Sequence, residues 1–522
     1  CITSNRCCTD ISATYGSFTT PCSWVSATSV RCDTVAGKGK DLKWTLEVGG
    51  QTSDLFNTLT RYASPTIASI VKTGGSGNLN VLAPFSTVDI VGTNFGPSGT
   101  PSITYGGSNG LKYAPSSCTM VTPHTKIRCP TVAGYGKDLK FVVTVASQAS
   151  LLTSSTLDYA SPAITGITST PFAAAGGSTV TITGSGFGAA DHNDISATYG
   201  SYTASSCDWQ SSTQIQCTTV AGYGKDLQWT LEVGSQSSGA FTGTLTRYAN
   251  PTITGITSTP FAAAGGSTVT ITGSGFGAAD HNDISATYGS YTASSCDWQS
   301  STQIQCTTVA GYGKDLQWTL EVGSQSSGAF TGTLTRYANP TITGISPISF
   351  STAGGSTVTI SGAGFGPADH SEISATYGSF TASSCDWQSP TQIRCTTEAG
   401  IGKDLKWTVT ISSQSSGAFS GTITRYDTPT ISSIALTSDS VVSVTGGSTV
   451  DIVGTNFGPA GTVVTVTYGG SNGLKYTPSS CTMETAHTNL RCTTIVGYGK
   501  DLKFIVTVAN QASSLTSTTL DY

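Results

Sequence analysis

The sequence predicts an all-β protein of tandem Ig-like β-sandwich domains arranged as an elongated rod. Three observations carry that expectation. A segment of about 90 to 97 residues recurs end to end along the 522 residues. Within each copy, apolar and polar residues alternate with the two-residue period of half-buried strands, and no stretch has helical period. A cysteine pair stands at the same place in every copy.

The recurrence sets the domain boundaries. Residues 162–250 return at 251–339 with one difference, Ala163 against Thr252. A divergent copy follows at 340–428, and slightly longer ones occupy 65–161 and 429–522. Residues 1–64 hold an incomplete copy whose first strands are missing. The repeats are of two types. Type A (1–64, 162–250, 251–339, 340–428) carries "CDW" or "CSW" and a Trp after "GKDL". Type B (65–161, 429–522) shares "YGGSNGLKY" and "SSCTM", with Phe141 and Phe504 in place of that Trp. The order is A, B, A, A, A, B.

The strands of repeat 162–250 follow in order. "PAITGI" is a short alternating run behind a proline. In "STVTITGSGFG", Val180 and Ile182 share one face and Thr181 and Thr183 the other, until glycines break the run into a turn. "DISATYG" turns Ile195, Ala197 and Tyr199 inward. Cys207, Trp209 and "TQIQCTTV" form the next pair of runs. "DLQWTLEV" places Leu227, Trp229, Leu231 and Val233 inside, and "FTGTLTRY" closes the repeat. About seven short strands separated by turn signals make a sandwich.

The Pro-led first strand, "GGSTVTITGSGFG", the paired cysteines, "GKDLQWTLEV" and the terminal "RY-x-x-P" occur in that order, and together they resemble the IPT/TIG domain, an Ig-like module of plexins and related surface receptors. The resemblance covers each repeat from residue 65 onward end to end, and the first from Asp10. It implies a binding or spacer module, not a catalyst.

Six cysteine pairs, Cys22/Cys32, Cys118/Cys129, Cys207/Cys217, Cys296/Cys306, Cys385/Cys395 and Cys481/Cys492, lie ten or eleven residues apart with no second pair to complete a zinc site, so they read as disulfides. Closing so short a loop stabilises a domain by about 3 kcal/mol in the chain-entropy model. Disulfides imply an oxidising compartment, hence a secreted or cell-surface protein. Cys1, Cys7 and Cys8 remain for local bonds or, the count being odd, for a bond to another chain.

Only 10% of residues are charged, the net charge is −5, and Lys and Arg form no cluster, which argues against nucleic-acid binding. No apolar run is long enough to span a membrane. A charge-poor surface rich in Ser and Thr suits O-glycosylation or lateral packing; Thr181, Thr183, Thr270 and Thr272 are the candidate O-glycan sites. No Asn-x-Ser/Thr acceptor is present, because "ANPT" is blocked by its proline.

Candidate chemistry is sparse. "GYGKDL" lacks the Ser or Thr and the helix of a phosphate loop, and reads as a tight turn. "ADHND" offers Asp191, His192 and Asp194, repeated as Asp280, His281 and Asp283 and as Asp369, His370 and Glu372; these are too few ligands for calcium, and a solvated loop is the plainer reading. Five histidines at scattered repeat positions build no catalytic array, so neither enzyme activity nor a cofactor is expected.

Repeat 1–64 lacks the counterpart of residues 162–188, two strands of its sandwich. Three explanations stand: the chain is a segment of a longer array; a neighbouring copy supplies the strands by strand addition; or Cys1, Cys7 and Cys8 rebuild a cap. The expected function is a structural extracellular protein of a filament, sheath or surface appendage, binding copies of itself and carrying covalent glycans. The alternative is an adhesin or receptor ectodomain that binds a protein or carbohydrate.

Overall fold

The computed structural model describes residues 10–75, 77–81, 85–168, 171–257, 260–438 and 440–522. Among them there are strands, turns and loops but no helix, hence none long and apolar enough to cross a membrane. The chain divides into two compact parts, residues 1–249 and 250–522.

In the first part, repeat 162–250 makes two four-stranded antiparallel sheets. One runs Ala163–Thr168, Thr179–Ser185, Gln214–Thr218, Ser206–Ser211; the other runs Tyr202–Thr203, Ile195–Tyr199, Trp229–Val233, Gln236–Ala240. The register places Val180 against Cys217 and Ile182 against Ile215, all four fully buried. From the other sheet, Ala197, Tyr199, Trp229, Leu231 and Val233 close the core. The alternating sequence therefore does what period two requires: one face of each sheet meets the other. Gly184 is needed where the first strand bulges past it, since a Cβ there would lie 2.0 Å from the Ala163 carbonyl oxygen.

Two details differ from expectation. "FTGTLTRY" is not a strand here: it is joined to the sandwich by the bridges Leu227–Thr246 and Phe172–Tyr248 and by single bonds such as Phe241 N–H to the Trp229 carbonyl at 2.8 Å. The edge is instead made by Gln236–Ala240, a polar run without alternating hydrophobicity. The strand of "DLQWTLEV" begins at Trp229, because Asp226 takes a left-handed turn conformation (φ 58°).

Repeat 65–161 has the same first sheet and a second one of three strands. Asp89 and Arg128 face each other across its first sheet and form a two-pronged ion pair at 2.6 and 2.8 Å, with Lys126 at 2.7 Å. Hydrogen bonding from Arg128 holds the Asp89 carboxyl down to about 2.

Residues 10–62 differ. Their six strands form one sheet, ordered Ser29–Cys32, Phe18–Ser26, Ile11–Tyr15, Leu42–Val48, Gln51–Thr52, with Phe56–Thr60 also on Leu42–Val48. The cysteine hairpin, which belongs to the opposite sheet in the complete repeats, continues from the Ile11–Tyr15 hairpin as one nine-residue strand. A one-residue deletion explains it: "TTPC" stands where repeat 162–250 has "TASSC". Trp24, Phe56 and Leu59 are consequently exposed.

In the second part, repeats 251–339 and 340–428 each repeat the two four-stranded sheets, and 429–522 the four-plus-three arrangement of type B.

Candidate functional site

All six expected cysteine pairs are disulfides: Cys22–Cys32, Cys118–Cys129, Cys207–Cys217, Cys296–Cys306, Cys385–Cys395 and Cys481–Cys492, with Cα atoms 4.0–4.3 Å apart. They differ from the sequence reading in one respect. Spacing alone presents them as loop closures, yet in the five complete repeats the second cysteine is a core residue. Cys129, Cys217, Cys306, Cys395 and Cys492 are fully buried. The reason is their place in the sheet. Each lies on an inner strand, paired on one side with the hairpin strand and on the other with a buried valine, Val88, Val180, Val269, Val358 or Val450. These five sulfurs therefore fill the sandwich as well as tie its hairpin, and they offer no accessible thiol chemistry. Cys32, which has no such neighbouring strand, stays partly exposed. Cys1, Cys7 and Cys8 lie outside the described residues. The four candidate O-glycan sites, Thr181, Thr183, Thr270 and Thr272, are half-buried, and the Thr183 and Thr272 hydroxyls donate to the Gly166 and Gly255 carbonyls at 3.1 Å.

The "GYGKDL" and "ADHND" motifs meet at the joint between repeats 65–161 and 162–250. The Tyr135 ring stacks on His192 with centroids 3.7 Å apart, and its hydroxyl donates to Asp194 at 2.9 Å. Lys112 of "GLKY" completes the group: its ammonium lies 2.9 Å from the same carboxylate oxygen and 3.8 Å from the Tyr135 ring centre. A cation facing both a carboxylate and an aromatic ring is held by charge and quadrupole together. Lys112 and the Tyr135 hydroxyl hold the Asp194 carboxyl below its usual range. Burial first, then the bond to Asp194, raises the Tyr135 phenol. The His192 Nε2–H donates to the Phe187 carbonyl at 2.9 Å. Gly234 adjoins Tyr135 so closely that a Cβ would fall 2.7 Å from the ring. Asp191 is exposed and joins none of this. Among the described residues no cluster of His, Cys, Asp and Glu could hold a metal ion. The "ADHND" loop at this joint is a docking surface for the preceding repeat, where the sequence suggested a solvated loop.

A second element recurs. Buried Gln236 follows a left-handed Ser235; its Nε2 donates to the Tyr159 carbonyl at 2.8 Å and its Oε1 accepts from the Gly136 N–H at 3.2 Å. Gln148 clamps the Tyr62 carbonyl at 2.9 Å, Gln414 that of Tyr337 at 2.8 Å, and Gln511 that of Tyr426 at 2.9 Å. Each is a side-chain amide of one repeat satisfying the last tyrosine of the repeat before. The sequence reading passed over these glutamines; the only signal was their invariable place after "GS", "AS", "SS", "AN" or "GG" in the turn behind the Trp or Phe strand.

The residue in the middle of "GxGKDL" differs with the repeat that follows. Tyr135 and Tyr312 meet type A repeats through His192 and His370, the second pair at 4.1 Å. Before type B repeats the position is Lys38, whose ammonium donates to the Ser98 carbonyl at 2.6 Å, or Ile401, which packs on the core of repeat 429–522. Beside the first tyrosine joint lies a cleft of about 640 Å³ lined by Lys112, Lys137, Lys140, Asp194 and Glu232.

The sequence model of a family described as IPT/TIG domain matches residues 162–248, 251–337 and 340–425. No curated protein matches the chain. Among solved structures, a plexin A4 full extracellular region is 13% identical, with 97% of this chain and 53% of that chain covered and a TM-score of 0.19. Invasin, a bacterial integrin-binding protein, is 12% identical, with 66% and 75% covered and a TM-score of 0.19. The surface glycan-binding protein PbSGBP-B of Prevotella bryantii is 15% identical, with 48% and 69% covered and a TM-score of 0.25. The chain spans 53% and 61% of the two plexin chains it matches.

Proposed function

We propose, from the premise that this chain is a tandem IPT/TIG repeat protein, that it is a structural extracellular protein whose stiffly jointed repeats form part of a filament, sheath or surface appendage. The observation that supports this best is the joint itself. Each glutamine clamp places a hydrogen bond between neighbouring repeats, with a net worth of about 0.5–1.5 kcal/mol. A prolyl residue follows the clamped tyrosine within three residues at Tyr62, Tyr159, Tyr337 and Tyr426, and restricts the linker further. Six disulfides fit an oxidising, extracellular setting. The solvated outer surface carries O-linked sugar on exposed Ser and Thr in this reading; an intact mass equal to 53.3 kDa would remove that element. Electron microscopy of the native material without reductant tests the whole: regular filaments support it, and dispersed single particles contradict it.

A second reading, an adhesin or receptor ectodomain that binds a protein or carbohydrate, is favoured by the charged cleft at the first tyrosine joint. Loss of binding to a glycan or cell-surface panel on Lys137→Ala and Lys140→Ala substitution would move the assignment there.

A further inference from the structure

The cleft beside the joint of repeats 65–161 and 162–250 carries charges that the joint leaves unused. Its volume of about 640 Å³ falls in the range of small-ligand clefts, about 300–1,000 Å³. Gly136 and Gly234 line it where the two main chains almost touch: a Cβ on Gly234 would lie 2.9 Å from the Gly136 Cα. The two walls are held in place by the Gln236 clamp and by the bonds from Lys112 and Tyr135 to Asp194. A cleft fixed before its ligand arrives loses little freedom on binding.

The walls differ in chemistry. Repeat 65–161 contributes Lys112, Lys137 and Lys140. Lys112 is engaged by Asp194 and the Tyr135 ring. Lys137 is exposed and Lys140 half-buried, and among the described residues neither forms an ion pair. Repeat 162–250 contributes Glu232 with Asn193, Ser196 and Ser235, all exposed. Among the described residues Glu232 likewise forms no ion pair. A carboxylate only accepts hydrogen bonds and an ammonium only donates them. A ligand that satisfies both walls brings an anionic group to the lysines and hydroxyl donors to Glu232. Tyr135, the aromatic ring in the lining, is 8% exposed, with His192 stacked on it and the Lys112 ammonium over it, so its faces are not open for stacking. A bare anion would leave Glu232 without a donor. A run of carboxylates, as in an acidic peptide, would set like charge against Glu232 and Asp138.

We propose that this cleft binds an acidic saccharide, a sugar that carries a carboxylate. The carboxylate pairs with the Lys137 and Lys140 ammonium groups, and ring hydroxyls donate to Glu232 and exchange hydrogen bonds with Asn193 and Ser196. This rests on the reading of the protein as an adhesin or receptor ectodomain, and names its ligand class. The site belongs to the type B to type A joint. Gly107, Ser108 and Lys112 of its lining come from "YGGSNGLKY", which type A repeats lack. At the joint of repeats 251–339 and 340–428, the counterparts of Lys140 and Glu232 are the uncharged Gln317 and Thr410.

Titration of the full chain with an oligogalacturonate at low ionic strength tests the proposal, beside a maltooligosaccharide of equal length, inorganic phosphate and an oligoglutamate. The oligogalacturonate binds saturably and more tightly than the other three, and its binding weakens as salt is added. Lys137→Ala and Lys140→Ala each weaken it by about tenfold, the scale of one hydrogen bond to a charged group. Glu232→Ala weakens oligogalacturonate binding but not phosphate binding. Lys314→Ala, in the same "GKDL" turn of repeat 251–339, leaves binding unchanged. No saturable binding of the oligogalacturonate, phosphate binding as tightly, or binding that survives both K137A and K140A overturns the proposal. Maltooligosaccharide or oligoglutamate bound more tightly, and lost in K137A, overturns the acidic-saccharide class while leaving the adhesin reading intact. That reading fails separately, when the wild type binds neither these probes nor a cell-surface panel.

Discussion

Residues 44–48 and 229–233 have the same sequence, WTLEV, and lie in the same place in their repeats. Both pair with an ISATY strand, Tyr15 opposite Trp44 and Tyr199 opposite Trp229. Both tryptophans stack on that tyrosine, at 4.2 and 4.4 Å, and both donate an indole N–H to a threonine hydroxyl, Thr60 or Thr246. Yet Trp229 and Val233 are fully buried, while Trp44 is half-buried and Val48 is 40% exposed. The strand and its local contacts are therefore set by its own sequence and its hairpin. Burial is set by the opposite sheet, and above all by Val180 and Ile182, which have no counterpart in the described residues of the first repeat.

The comparison can be broken most forcefully at the tryptophans. Trp229→Ala should destabilise its repeat by about 3–5 kcal/mol, the range for emptying a closed aromatic site. Trp44→Ala should cost less than about half of that, since water already reaches the ring; chemical denaturation of the full chain, read by local hydrogen exchange, separates the two. The disulfides come next. Removing Cys207–Cys217 should cost about 3 kcal/mol. Under limiting reductant, alkylation and mass spectrometry should find Cys22 and Cys32 labelled first, because both are partly exposed, whereas Cys129, Cys217, Cys306, Cys395 and Cys492 are fully buried.

The joints give smaller effects. Gln236→Ala should weaken the coupling of repeats 65–161 and 162–250 by about 1–2 kcal/mol, because it leaves the Tyr159 carbonyl and the Gly136 N–H unpaired. Gln51→Ala in dilute protein should change nothing measurable; the unfolding transitions of the two variants decide this. The smallest effect is the acid response of Asp194. Its carboxyl is held below the ordinary value of 3.8, so its contribution is complete above that pH and disappears as pH falls below it. Asp194→Asn should abolish this acid step in the exchange of Tyr135-region amides, and Asp10→Asn should not alter it in dilute protein.

Much of the fold was legible in the sequence. Repeat length, the period-two runs and the cysteine spacing identified the sandwiches, the inward faces of "STVTITG" and "WTLEV", and all six disulfides. The burial of the second cysteine was not read from spacing, because it depends on the valine strand that pairs beside it. The edge strand Gln236–Ala240 was hidden because its pairing is to backbone and leaves no apolar pattern. The joints were hidden for a related reason. Tyr135, His192, Asp194 and Lys112 lie in loops up to 82 residues apart, and each alone looks like a solvated turn residue. Their meaning appears only when one repeat is set against the next, where the identity of the "GxGKDL" residue tracks the type of its neighbour. The single sheet of residues 10–62 was equally out of reach, since it depends on one deleted residue that lets two strands run together.

The most direct measurement is hydrogen exchange, amide by amide, over Leu42–Val48 and Trp229–Val233 in dilute full-length protein. If burial comes from the opposing sheet, the first strand should exchange at least about tenfold faster than the second, a difference of about 1.4 kcal/mol in local opening. Equal protection of the two WTLEV strands would contradict the account.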